Sequence, residues 1–338
     1  MPLRSAQPVK SGDNARNSAA FDGRGNDFSL ATGVTHSGSC LATGTAVGYR
    51  SAMRIGICSF SFHRVMASGK ADVFRYMELC KELGCTQLDP WSAHLSPPEA
   101  PEAVLRAGKN PKDSHRLLGD VDFAFIDYIG DHAKRIGLPF GTIAVDGAHI
   151  YEPAEDARQA NRRRAYRWLD AAARLGAAQV RIDAGGPEDM PHDVFRVIAD
   201  GYRDLIARAR PLGTEILIEN HWGPSVIPDN TIRILEAVPG LGLLYDTRNW
   251  RPDRKDEGRR RGVAYARATH IKTRRWDANG DEPDEDIPGA VRLLLEAGYN
   301  GAWGIESVPE DGDEIAGARK TIELIRRTVA GNSALSDR

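Results

Sequence analysis

Short apolar runs and longer helical stretches alternate along the chain from Met53 onward, and no other feature limits the fold as tightly. The runs, rich in Ile, Val and Leu, are Ile55–Ser59, Thr86–Pro90, Pro139–Val145, Gln179–Asp183, Glu215–Asn220, Gly242–Asp246, Ala268–Lys272 and Ala302–Ser307. Runs this short, bounded by turn residues, read as buried strands. Between them, apolar residues recur at helical spacing over Ala71–Leu83, Ile126–Arg135, Asn161–Leu175, His192–Ala209, Asn230–Ala237, Pro288–Glu296 and Asp313–Val329. Gly84, Gly137, Gly176, Gly213 and Gly298 stand where helices are expected to stop in a left-handed residue. Alternating strands and helices predict a parallel sheet of βαβ units, and eight units predict a single α/β domain, a (β/α)8 TIM barrel. An open doubly wound sheet is the rival. It would place a glycine-rich phosphate loop after the first strand, where the sequence is Ser59-Phe60-Ser61-Phe62-His63.

The barrel is expected over residues 53–330, with a flexible tail over 331–338. Residues 1–52 differ from the rest: they hold seven Gly and seven Ser but no Ile and no Trp. Such a stretch buries too little apolar surface to offset its ordering entropy, which predicts a disordered or non-native N-terminal extension. It lacks the continuous apolar segment of a secretory signal and resembles an organelle transit sequence only faintly. Met53 directly precedes the first strand and is a candidate start. The connection from Trp91 to Asp120 is long and carries Pro97, Pro98, Pro101 and Pro111. It leaves the C-terminal end of a strand, where a lid over an active site is expected. The stretch Trp250–Gly262 holds nine charged residues and reads as a solvated loop with a short helix.

Charge and cysteine usage narrow the function classes. Lys and Arg number 45 against 47 Asp and Glu, a net charge of −2, so no basic surplus favours nucleic acid. No apolar run is long enough to span a membrane. Cys40, Cys58, Cys80 and Cys85 form neither a disulfide framework nor a paired zinc spacing. They read as free thiols of a cytoplasmic protein. A homo-oligomer is compatible with the sequence.

In a parallel barrel the C-terminal strand ends carry the active site. Four successive runs end in Leu217-Ile218-Glu219, Leu244-Tyr245-Asp246, Thr269-His270-Ile271 and Gly304-Ile305-Glu306. Glu219 alone would read as the partner of an arginine across the barrel, and His270 alone as a core histidine. Together they place three carboxylates and an imidazole at one end of an apolar lumen, where unpaired charge is costly. A divalent cation removes that cost. This oxygen-rich set suits Mn²⁺ first, with Mg²⁺, Co²⁺ or Zn²⁺ as alternatives. Glu219, Asp246, His270 and Glu306 are therefore the expected ligands.

These four segments, with Asn220 and Thr247-Arg248-Asn249, resemble the sugar phosphate isomerase/epimerase superfamily, the xylose isomerase-like TIM-barrel group. The resemblance covers Met53 to about Val329. It implies one metal on the four named residues and, as in the epimerase branch, acid and base roles for Glu219 and Glu306. The chemistry agrees: a cation on a carbonyl and its neighbouring hydroxyl stabilises the enediolate left when the α-proton departs. Carboxylates on either face can remove and return that proton.

His221 and Lys272 lie two residues after Glu219 and His270, on the same side of their strands. They are candidate catalytic residues, against second-shell and salt-bridge readings. Arg181 and Asp183, His63 and Trp222 are candidate substrate-binding residues; Asp89, Trp91 and Trp250 are weaker ones. The leading expectation is an isomerase or epimerase of a sugar or keto-sugar, acting on a small carbohydrate. Its rival is a lyase of the same superfamily, inosose dehydratase-like or cleaving 3-keto-glycosides, which His221 and Lys272 favour. An apurinic-site endonuclease would need a further histidine-rich set, for which Asp89, Asp146 and His149 are the only candidates. A non-catalytic sugar-binding protein would have no need of an intact ligand set.

Overall fold

The computed structural model describes residues 53–96 and 117–336. Among the described residues seven strands form one sheet: β1 Ile55–Ile57, β2 Thr142–Val145, β3 Gln179–Ile182, β4 Glu215–Glu219, β5 Gly242–Asp246, β6 Ala266–Thr273 and β7 Trp303–Ser307. Their order is β1-β7-β6-β5-β4-β3-β2, and every pairing is parallel. The described helices are α1 His63–Ala67, α2 Val73–Glu82, α3 Asp120–Ile136, α4 Glu155–Leu175, α5 His192–Ala209, α6 Pro228–Ala237, α7 Lys255–Gly262, α8 Ile287–Glu296 and α9 Glu314–Ser336. No described helix is long and apolar enough to cross a membrane. Residues 1–52 and most of the long connection after Trp91 lie outside the described residues.

The predicted strand Thr86–Pro90 is corrected to an irregular connector between β1 and β2. Thr86 N donates to Ile55 O (2.8 Å), Leu88 N to Pro139 O (2.8 Å) and Ala144 N to Pro90 O (3.0 Å). Single bridges join Cys58 to Asp89, Leu88 to Phe140 and Trp91 to Ala144. Two residues explain why no regular ladder forms. Pro90 has no N–H to donate. Asp89 Oδ1 accepts Thr142 N at 2.9 Å, a donor that a neighbouring strand's carbonyl would otherwise take.

Elsewhere the strand ends shift by a few residues. Ser59 opens a 3₁₀ turn, Ser59–Phe62, in place of extending β1. The expected stop glycines hold: Gly137 and Gly176 close α3 and α4 in the left-handed region (φ 74° and 65°). The last helix runs on through Ser336, into residues expected to be a tail. Ala330, Ala334 and Leu335 are strong helix formers.

Strand alternation separates the two faces of the sheet. Ile57, Ile143, Val145, Ile182, Ile216, Ile218, Leu243, Tyr245, Ile271 and Ile305 are buried in the main core. Full burial of each such side chain contributes about 1.5–3 kcal/mol. The alternate positions form a second layer. Leu217, Leu244 and Ala268 make a small apolar cluster of their own, and the next residues of the same stripe are Glu219, Asp246 and His270.

Gly304 belongs to the same stripe as Glu306, and its lack of a side chain matters. A Cβ there would lie 2.1 Å from Thr269 O, a backbone atom that cannot move aside alone. Gly304→Ala is expected to lower unfolding stability by about 1–3 kcal/mol, as overpacking does. Urea denaturation checks this; an unchanged midpoint would contradict the close approach of β6 and β7.

Candidate metal centre

Period-two alternation delivers the four donors to one place. Leu217-x-Glu219, Leu244-x-Asp246, Ala268-x-His270 and Gly304-x-Glu306 run along neighbouring strands toward the same end of the sheet. One donor atom from each of Glu219, Asp246, His270 and Glu306 lies within 4.8 Å of the others, and all four residues are buried. His270 Nδ1 lies 2.9 Å from Glu219 Oε1 and 2.9 Å from Glu306 Oε2. Lys272 Nζ lies 3.1 Å from Asp246 Oδ2 and 3.0 Å from Glu306 Oε1.

Neighbouring groups hold these side chains. Asn220 Nδ2 donates to Asp246 O (2.9 Å), and Asp246 N donates back to Asn220 Oδ1 (2.9 Å). The exchange ties the end of β4 to the end of β5. Asp246 Oδ1 accepts Arg248 N (2.7 Å) and Asn249 N (2.9 Å). Its other oxygen, Oδ2, is buried against the Lys272 ammonium, and Glu219 Oε2 is buried against the Arg181 guanidinium. Lys272 Nζ also donates to Asn249 Oδ1 at 3.2 Å.

The electrostatics follow from burial and crowding. Burial raises the Asp246 carboxyl, and Glu219 and Glu306 add repulsion that the Lys272 ammonium only partly offsets. Burial also opposes ionisation of Glu306, but Lys272 and His270 outweigh it and hold the carboxyl low. Burial opposes protonation of His270, but the Glu219 carboxylate beside it wins and raises the imidazole well above its ordinary range. The proton on His270 therefore sits where two carboxylates converge.

A second group adjoins the first. Arg181 on β3 places Nε 3.0 Å from Glu219 Oε2 and Nη1 2.9 Å from both Asp183 Oδ2 and Asp146 Oδ1. His221 Nδ1 lies 3.2 Å from Asp183 Oδ2, and Trp222 Nε1 donates to the same oxygen at 3.0 Å. Burial alone would lower His221, but Asp183, then Glu219, raise it to about 9. Trp222 is 39% exposed and meets the edge of His149.

The remaining expected residues have partners of their own. His63 stacks on Phe60 and pairs with Glu314 Oε1 at 3.2 Å. Trp250 is buried against α7, where a Cβ on Gly258 would meet its ring. Asp89 accepts Thr142 N and Gln87 Nε2. His149 pairs with Glu152 at 2.5 Å, and Asp146 is taken by Arg181 and Trp91 Nε1. Among the described residues, none of Asp89, Asp146 and His149 joins a group of potential ligands.

One neighbour of the centre escaped the sequence reading. Cys58, next after β1, lies in one donor group with His270 and Glu306. Its place at the end of a strand run was the available signal. Cysteine spacing carried none, because the pairing of β1 with β7 makes the contact. Cys58, Cys80 and Cys85 are free and buried.

The donor set fits a divalent cation. Three carboxylates and an imidazole are buried with donor atoms within 4.8 Å of one another, and burial, helped by repulsion from Glu219 and Glu306, holds the Asp246 carboxyl above its ordinary range, a crowding that a shared cation relieves. Glu219, Asp246, Glu306, Asp183 and Asp146 crowd around Arg181, Lys272, His221 and His270, so carboxylates outnumber the cationic side chains they pair with.

A buried serine next after Cys58 pairs with a histidine. Ser59 Oγ lies 2.8 Å from His94 Nδ1, and Ser59 Oγ accepts Trp91 N. Burial, with repulsion from His63, lowers His94 to about 3. A folded value below the unfolded one means stability present above about pH 6.5 and lost as pH falls toward 3. Between pH 6 and 4 this group is expected to remove about 1.4 kcal/mol per pH unit. Urea unfolding of His94→Gln against the parent checks it; parallel pH slopes would contradict it.

Comparisons with known proteins agree with this fold. A family model described as xylose isomerase-like TIM barrel matches residues 78–328. No curated protein matches the chain. Among solved structures, a 3-keto-D-glucoside 4-epimerase, YcjR, from E. coli is 16% identical with a TM-score of 0.60, covering 81% of this chain and 99% of that one. The probable 3-DHS dehydratase AsbF from Bacillus anthracis is 13% identical with a TM-score of 0.58, covering 80% and 99%. A xylose isomerase-like TIM barrel protein from Mycobacterium smegmatis, in complex with magnesium, is 17% identical with a TM-score of 0.57, covering 83% and 98%. At these identities the likeness is one of fold.

Proposed function

The chain belongs to the xylose isomerase-like TIM barrel family, and from that premise we propose that it is a divalent-metal-dependent isomerase or epimerase of a sugar or keto-sugar. The observation that carries this reading is the convergence of Glu219, Asp246, His270 and Glu306 within 4.8 Å. These four residues would hold the ion, Mn²⁺ first among the candidates. When bound, it polarises a substrate carbonyl and the adjacent hydroxyl and so acidifies the hydrogen between them.

The chain's own groups do the rest. Glu306, 8% exposed, is the most open of the four donors and is the proposed base. Lys272, bridging Asp246 and Glu306, keeps that carboxylate ionised. Glu219, on the strand three places away in the sheet, is the proposed partner in proton transfer, with Oε2 pinned by Arg181. Trp222, held by Asp183, offers an aromatic surface for sugar C–H faces. The epimerase and the dehydratase of similar fold support a carbohydrate-type substrate and leave the reaction open.

The second reading is a lyase, which the His221–Asp183 pair favours. Elimination must protonate a leaving group, and a carboxylate tied to a metal is a poor acid. His221 or Lys272 would then donate. Under that reading, His221→Ala keeps deuterium exchange at the substrate α-carbon but lowers elimination by roughly 10²–10⁴-fold. Under the epimerase reading, exchange and turnover both survive largely intact. NMR in D₂O on the Mn²⁺-loaded protein, with ketoses, inososes and 3-keto-glycosides, separates the two. Absence of exchange with every substrate class would contradict both.

A further inference from the structure

A second donor set shares a residue with the metal centre. Asp183, Glu219 and His221 each offer one donor atom, within 4.8 Å of one another. Two donor sets joined by one carboxylate suit two cations lying a few ångströms apart. In this chain, however, a side chain already fills the second place.

Arg181 is 3% exposed. Its guanidinium touches Glu219 Oε2 through Nε (3.0 Å) and Asp183 Oδ2 and Asp146 Oδ1 through Nη1 (2.9 Å each). Nη1 also donates to Val145 O at 3.1 Å. The guanidinium remains charged under all ordinary conditions. Its position on β3, beside β4, sets it against the outer oxygen of Glu219 while Oε1 faces His270.

We propose, on the basis of the metal-dependent reading above, that Arg181 is the resident second cation of the centre, occupying the place of a second metal ion and limiting the chain to one. It is a positioning residue. It holds Glu219 with one oxygen turned outward and the other toward the metal donors, and it neutralises Asp183 without exchangeable ligands. A cation built into β3 also keeps that half of the centre independent of metal supply.

Metal content of the folded protein, after loading with Mn²⁺ and removal of free ion, tests this directly. The parent chain is expected to retain one Mn²⁺ and Arg181→Ala two. Arg181→Ala combined with His221→Ala should return to one, because the second set then lacks its imidazole. Arg181→Lys, which keeps the charge, should stay at one. A parent chain with two ions, or Arg181→Ala with one, overturns the proposal. A parent chain with none defeats the metal-dependent reading itself, a different result. Should Arg181→Ala unfold without metal, circular dichroism during Mn²⁺ titration takes over. Recovery of the fold at two equivalents supports the proposal, and no recovery at any Mn²⁺ concentration overturns it.

Discussion

Glu306→Gln is expected to lower turnover by roughly 10²–10⁴-fold, the usual worth of a positioned base. The amide keeps the shape of the carboxyl group and an oxygen for His270, which lies 2.9 Å from Glu306 Oε2. It cannot accept a proton at neutral pH. Lys272 retains Asp246 as a partner at 3.1 Å, so the local packing should survive. The loss is therefore expected in kcat even at saturating Mn²⁺, beyond the weaker Mn²⁺ affinity that a neutral amide ligand brings. Steady-state kinetics and elemental analysis of the same preparation check both halves. Turnover within tenfold of the parent would remove Glu306 from proton transfer.

The second large effect is expected from Asp246→Ala combined with His270→Ala. The pair removes the imidazole at the meeting point of Glu219 and Glu306 and the fully buried carboxylate beside Lys272. Two of four donors are gone, from neighbouring strands whose pairing aligns Asp246 with His270. The protein should retain no stoichiometric metal after desalting. Turnover should fall at least roughly 10³-fold, since a Lewis acid contributes several kcal/mol to such a transition state. Added Mn²⁺ should not restore it. A full equivalent of tightly held metal in this variant would place the site elsewhere.

Much of this was legible because two periods act in the same chain. Short apolar runs marked β4, β5, β6 and β7, and the period of two within them carries Leu217, Leu244, Ala268 and Gly304 forward to the four donors. Helix stops at Gly137 and Gly176 were equally readable, since only glycine takes the left-handed conformation there without strain. The segment Thr86–Pro90 was not. Its apolar content suggested a strand, but Pro90 and the Asp89 carboxylate each remove a ladder bond. Cys58 was hidden for another reason. Its partners His270 and Glu306 come from the far end of the chain, and only the closing of β1 on β7 joins them. The roles of Arg181 and His221 were half legible. Their strand-end positions were visible, but the ion pairs that bind them to Asp183 and Glu219 depend on side-chain geometry.

The central claim is that Glu219, Asp246, His270 and Glu306 together hold one divalent ion. Anomalous diffraction from a crystal of the Mn²⁺-loaded protein tests it most directly. One strong peak is expected among these four side chains, about 2.0–2.6 Å from a donor atom of each. His270 should then bind as a neutral imidazole, no longer shared between two carboxylates. No peak in that position, or a peak bound by none of the four, would contradict the account.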